Sequence, residues 1–240
     1  MNRTSNVTVT VVVITKNQRT YLERSLPALA AQRGVSRFET VVVDSGSTDG
    51  ALDVVREHGA KLVQIAPEAF GYARAYNLGA AHGTGKYIVR LSGDAIPIGT
   101  DWLMGLLVPM ETDESIGATW GAQTLPPGLR NPVEHFCQKL YGYDAGKNAK
   151  PVRITRLCTV LGCNMATRRD LWERFPFPDI AQVEDYAFYG KLLQDGFAGT
   201  FVPGARVLHG HEESLSKALS RSLKQSFWQV IIRIRLFLQK

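Results

Sequence analysis

Cysteine is scarce: Cys137, Cys158 and Cys163 are the only three in 240 residues. They show neither C-x-x-C spacing nor an accompanying histidine pattern, which argues against a disulfide framework and a zinc site and fits a reducing compartment. Long apolar runs free of charge are also missing, so no bilayer-spanning segment is indicated. The opening residues, MNRTSNVTVTVVVI, alternate apolar residues with threonine and have no small-residue cleavage site after them. They read as a strand, not a signal sequence. Internal repeats and low-complexity stretches are lacking.

Acid is missing from one region. Residues 214–240 contain Lys217, Arg221, Lys224, Arg233, Arg235 and Lys240 and no Asp or Glu, whereas residues 1–213 balance 22 basic against 22 acidic side chains. The net charge of +6 therefore lies wholly in the tail. A neutral body gives no footprint for nucleic acid. An apolar share of 45% and a charged share of 21% describe an ordinary soluble chain. Its length suits one large domain or two closely packed halves.

Three β-branched runs come early: VTVTVVVI (7–14), ETVVVD (39–44) and AKLVQI (60–65). Between them, Tyr21, Leu22, Leu26, Leu29 and Ala30, then Leu52, Val54 and Val55, recur at helical spacing. Alternating strands and helices predict an α/β fold with a mostly parallel sheet buried on both faces. A helix over 71–83 leads to a fourth strand, KYIVRL. Downstream, the pattern predicts a helix over 101–111, a strand over 116–122 and the loop LPPGLRNP. An amphipathic helix over 131–142, a polar basic loop, a strand over 159–166, a helix over 184–195 and a strand over 199–203 follow.

In VVVDSGSTDG (41–50) a strand ends in Asp44, small residues allow a tight turn, and Asp49 suits a helix cap. As an acceptor, Asp44 suits the N3 hydrogen of a pyrimidine, with Ser45 and Ser47 near ribose or phosphate; a plain strand-to-helix turn is the alternative. FGYARAYNLGAAHGTGKY (70–87) offers Arg74 and Asn77 on a helix of small residues that permits close approach by a backbone or a ligand. Arg74 suits a pyrimidine O4 or a phosphate, or is a solvated arginine. LSGDAIP (91–97) closes the fourth strand with Asp94, beyond the carboxyl ends of strands where open α/β sheets hold ligands. Glu184 and Asp185 stand at a helix N-terminus, where the helix dipole alone favours acids.

In order, a strand ending in ITKN with Thr15 and Asn17, then VVVDSGSTDG, then ARAYNLGAAHGTGKYIVRLSGDAIP resemble the family 2 glycosyltransferases of GT-A fold over about residues 7–215. GDAIP followed by DWL, WGAQTLPPGLRNPVEHF and the HGH at 209–211 look most like bacterial rhamnosyltransferase-type members. The resemblance implies a nucleotide-sugar-binding half (1–98) and an acceptor-binding catalytic half (99–213), beyond which the charge pattern sets a basic helical tail (214–240). Its D-x-D element aligns with Ser92-Gly93-Asp94, so serine replaces the first acid. It assigns Asp94 to a divalent cation, Mg2+ or Mn2+, and Ser92 to ribose, and it brings a late histidine, His209 or alternatively His211, to the same ion. Asp185 becomes the base that takes the acceptor's proton and Glu184 orients the acceptor. Trp120, Gly121, Gln123 and Trp172 shape the pockets or belong to the core.

Those roles imply inverting transfer from a dTDP- or UDP-sugar, rhamnose among the candidates, to a glycan or lipid-linked acceptor. A nucleotidyltransferase is disfavoured because ITKNQRTY has no glycine for a phosphate-cradling loop. A non-catalytic sugar-nucleotide module is disfavoured by the intact Glu184-Asp185 pair. In the tail, apolar residues at 215, 219, 223, 227, 230 or 231, 234 and 237 or 238 make one helical stripe, and Arg233 and Arg235 interrupt any span. A helix lying on the inner face of a cytoplasmic membrane, or packed on the body or on a second subunit, is expected.

Overall fold

The computed structural model describes residues 5–140 and 149–238. Its first half comprises β1 (Ser5–Thr15), α1 (Arg19–Ala30), β2 (Val35–Asp44), α2 (Ala51–Glu57), β3 (Lys61–Gln64), α3 (Tyr72–Ala81), β4 (Tyr87–Ser92) and β5 (Ile96–Pro97). Next come α4 (Trp102–Thr112), β6 (Ile116–Thr124), α5 (Pro132–Leu140), β7 (Val152–Ile154) and β8 (Asn164–Arg168). The chain continues through α6 (Arg169–Arg174), α7 (Glu184–Gln194), β9 (Ala198–Leu208) and α8 (Leu215–Leu238). The end of the helix expected over 131–142, most of the basic loop after it, and Lys240 lie outside the described residues.

One sheet runs in the order β3-β2-β1-β4-β8-β6-β9-β5, with β7 paired to β9. The first four strands pair in parallel. β8 runs against both β4 and β6, β9 is parallel to β6, and β5 and β7 run against β9. Most strands therefore share one direction, and both expected halves belong to a single sheet.

β1 shows why the valine run folds this way. Val9, Val11 and Val13 pack on one face with Leu22 and Leu26 of α1, Val54 of α2 and Trp102 of α4. Val12 and Ile14 pack on the other with Ala75 and Tyr76 of α3 and Phe188 of α7. Alternate side chains thus meet two different layers, as a doubly covered strand requires. The small residues of α3 let the helix sit close on the strands: Ala73, Ala75, Gly79 and Ala80 are buried in that contact, which answers the expected close approach with the protein's own sheet.

Three departures matter for the site. The strand expected from residue 159 begins only at Asn164, because residues 159–163 are irregular and line a cleft. The two-residue β5 was not anticipated, and neither was the antiparallel entry of β8. Trp120, Gly121 and Trp172 belong to the core, with the Trp172 indole donating to Asn77 Oδ1 at 2.8 Å; Gln123 does line the cleft.

Candidate active site

A cleft of ≈ 620 Å³ opens at the carboxyl ends of β1 and β4. The chain leaves β4 at Ser92, turns through Gly93 and Asp94, and returns as β5, which pairs antiparallel with the end of β9. That ladder, Ile96 on Leu208 and Pro97 on Val207, sets His209 beside Asp94. The His209 backbone N–H donates to Thr124 O at 2.9 Å and fixes the strand end. Gly93 has no room for a side chain: a Cβ there would lie 2.4 Å from Ile14 O.

His209 Nε2 lies 3.4 Å from Asp94 Oδ1 and His211 Nε2 lies 3.6 Å from Asp94 Oδ2. One ligand atom from each of the three residues falls within 4.8 Å of the others. A carboxylate and two imidazoles suit a divalent transition ion. The other ring nitrogen of His211, Nδ1, bonds Glu134 Oε1 at 2.9 Å, the outer support typical of a metal-binding histidine. Glu134, His211 and Glu213 also cluster, but Arg221 Nη2 sits 2.6 Å from Glu134 and 2.5 Å from Glu213. A guanidinium already supplies the positive charge there.

Glu184 and Asp185 line the same cleft from the first turn of α7. The residue before them, Val183, has φ of 57°, a left-handed conformation unusual for a β-branched side chain. Glu184 forms a buried ion pair with Arg90 of β4, whose guanidinium carbon lies 4.0 Å from the Tyr76 ring centroid and 5.2 Å from that of Phe177. Asp185 Oδ1 accepts the Tyr186 N–H at 2.8 Å. Gly162 packs directly on this carboxylate: a Cβ there would lie 2.2 Å from Asp185 Oδ2 and 3.2 Å from Arg90 Cζ.

These surroundings separate the two aspartates. Burial pushes Asp185 up to about 6, the Glu184 charge adds to it, and Arg90 opposes both. Burial also pushes Asp94 upward, yet the hydrogen bond and charge of His209, with His211 behind it, hold it below its ordinary value. Glu134 is likewise held low despite burial, by His211 and Arg221. Arg90 loses to burial but is raised by Glu184.

Thr15, Ser45 and Ser92 line the cleft. Asp44, fully buried, turns its carboxylate to its own loop, accepting from Gly46 N at 2.9 Å and from Ser47 N and Oγ. Asn17 joins two loops: its N–H donates to Ser47 Oγ and its Oδ1 accepts from Thr48 N, both at 2.8 Å. None of Asp44, Asn17 and Ser47 lines the cleft. Arg74 also stands away from that lining, pairing with Asp179 at 2.8 Å and donating to Ala69 O at 3.0 Å. Asn77 ties α3 to the Phe177 backbone through Nδ2 and Oδ1.

Sequence reasoning missed Arg90, Glu134, Gly162 and the cleft wall made by α8. A charge inside the apolar run KYIVRL was the available signal, since a buried charge demands a partner. Arg221, Ser222, Gln225 and Gln229 of α8 line the cleft. Behind them Ala218 and Ile232 are buried, Gln229 reaches Thr159, and Arg233 Nε donates to the Tyr186 hydroxyl at 3.3 Å. The opposite edge of α8 carries Leu215, Leu219, Leu223, Phe227, Val230, Ile234, Phe237 and Leu238, all exposed. Among the described residues no helix is long and apolar enough to cross a membrane.

The family model for glycosyl transferase family 2 matches residues 10–175. A glycosyltransferase of Haemophilus influenzae is 26% identical over 230 residues, covering 86% of this chain and 67% of its own length. The mannosyltransferase of Pyrobaculum calidifontis, solved with GDP-Man and Mn2+, superposes with a TM-score of 0.71 at 24% identity, over 95% of this chain and 65% of that one. Glucosyl-3-phosphoglycerate synthase of Mycobacterium tuberculosis, solved with Mn2+, UDP and glucosyl-3-phosphoglycerate, gives 0.62 at 20% identity, over 96% of this chain and 80% of that one. These solved structures share the GT-A fold.

Proposed function

Given that the chain belongs to glycosyl transferase family 2, we propose that it transfers a sugar, with inversion, from a pyrimidine nucleoside diphosphate to a glycan or lipid-linked acceptor. The observation that carries this reading is one cleft lined by two sets of groups: Asp94 with His209 and His211, and the acidic pair of α7. Asp94, His209 and His211 would hold a divalent cation, which neutralises charge on a diphosphate leaving group. Two imidazoles beside one carboxylate favour Mn2+ over the harder Mg2+.

Asp185 takes the proton of the acceptor hydroxyl as its oxygen attacks the anomeric carbon. The bond from that carbon to the diphosphate oxygen breaks and its electron pair leaves with the diphosphate. Attack from the opposite face inverts the centre without a covalent intermediate. A base with a pKa near 6 stands ionised at neutral pH and still accepts a proton readily. Thr15, Ser45 and Ser92 flank the donor side of the cleft. Asp44 and Arg74 reach a nucleobase only if their present partners yield. Rhamnose is the sugar suggested by GDAIP-DWL and the HGH motif. A thermal-shift screen of UDP-, dTDP- and GDP-sugars with Mn2+, followed by assay of nucleoside diphosphate release, tests the donor class. Stabilisation by GDP-sugars alone would overturn the pyrimidine assignment.

The outward stripe of α8 supports peripheral attachment to an anionic membrane face, since Lys217, Lys224 and Arg235 lie exposed on the same helix. Each basic residue near such a surface contributes about 1 kcal/mol. Flotation with vesicles containing phosphatidylglycerol should carry the parent, while replacing Leu223 and Phe227 by serine releases it. Equal flotation of both would remove the membrane reading.

A further inference from the structure

Arg90 is a cation on a central strand. Its side chain is 9% exposed, and its partner Glu184 is 5% exposed. Its guanidinium contacts the rings of Tyr76 of α3 and Phe177, and among the described residues Nε and Nη1 have no hydrogen-bond partner. A surface arginine would cover its charge with water; this one has an acidic pair and two rings. The same guanidinium lies beside Asp185, because both approach the single point that a Cβ on Gly162 would occupy. Two adjacent carboxylates at one helix end, Glu184 buried and Asp185 half-buried, repel each other unless a cation intervenes. The helix dipole supplies only part of that charge.

We infer that Arg90 is the positioning residue of the acidic pair: it clamps Glu184 at the first turn of α7 and supplies the positive charge that lets Asp185 remain a carboxylate. The clamp also explains how the left-handed backbone at Val183 is held, since the α7 entry is pinned from β4 on one side and packed against Gly162 on the other. The other titratable or charged groups near the acidic pair and its arginine are Tyr186 on α7, Tyr72 and Tyr76 on α3, and Arg233 on α8, the last bonded to the Tyr186 hydroxyl. Of these, Arg233 is exposed and Tyr76 is pushed up to about 12 by burial, which leaves Arg90 as the cation that acts on the pair.

The inference rests on Asp185 as the base, and its test is readable without that role. Unfolding free energy is measured against pH for the parent and Asp185→Asn, each with Arg90 and with Arg90→Met. The difference between each pair reports the titration of Asp185. Arg90→Met should move that midpoint up by about one pH unit or more. An unmoved midpoint overturns the inference.

Should Arg90→Met not fold, Arg90→Lys keeps the charge but loses the planar fork. It should lower kcat by about 10-fold or more while leaving nucleotide affinity for UDP, dTDP and GDP unchanged. A lysine variant with parental kcat also overturns it. Normal transfer by Asp185→Asn would instead remove the base reading, leaving the pH titration to judge Arg90 alone.

Discussion

Asp94 and Asp185 are the same side chain on one cleft, and in the proposed reaction their neighbours assign them opposite tasks. Two imidazoles draw Asp94 below its ordinary range and suit it to a cation, while burial and Glu184 lift Asp185 to about 6. Pairs pushed apart in this way mark acid–base assignments. Asp185→Asn should reduce transfer by about 10² to 10⁴-fold and leave donor affinity within about twofold. The parent's rate should fall as pH drops through about 6, because protonation removes the base.

Stability should move the other way. A carboxyl raised from 3.8 to about 6 holds its proton longer in the folded chain, so its contribution is greatest at low pH and is lost as pH rises through about 6. Asp185→Asn escapes that loss. Urea denaturation should find it more stable than the parent by on the order of 1–3 kcal/mol at pH 8, with the gap closing towards pH 4. A gap that is constant with pH would show that Asp185 titrates normally.

At the scale of elements, the two faces of α8 meet different surroundings. Its inner face walls the cleft and reaches the proposed cation group through Arg221, which bonds Glu134 of α5, which in turn bonds His211. Arg221→Ala leaves Glu134 without its cation and loosens the support of His211. Mn2+ affinity by isothermal titration should then fall about 10- to 100-fold. Unaltered affinity would make the contact a docking feature only.

The sequence exposed some of these elements and concealed others for physical reasons. β1, β2 and β4 were legible because strands buried on both faces must read as valine and isoleucine runs. The α8 stripe was legible from its period, but not its direction, since a helix with one polar and one apolar side can turn either towards the body. Arg221, Gln225 and Gln229 face inward because the cleft itself is polar. The neighbourhood of Asp94 and His209 depends on the β5–β9 ladder, two residue pairs between distant segments that leave no local periodicity. Arg90 and Gly162 owe their roles to the same kind of remote contact.

For the whole molecule, the cleft is where the two halves of the chain become one device. Asp94 comes from the turn after β4, His209 and His211 follow β9, and Asp185 lies in the first turn of α7. A cation on Asp94, His209 and His211 therefore ties the first half to the second, and an ion that binds only the folded arrangement must stabilise it. At about 100 times its Kd, the gain is about 2.7 kcal/mol. For a chain of this size that corresponds to a Tm rise of about 5–10 °C. Mn2+ should produce this rise in the parent, EDTA should reverse it, and both Asp94→Ala and His209→Ala should abolish it. Persistence of the full shift in either variant would place the ion elsewhere. Its total absence in the parent would mean that these residues hold no cation until the donor's diphosphate supplies the remaining oxygens, a result that the same scan with UDP added would resolve.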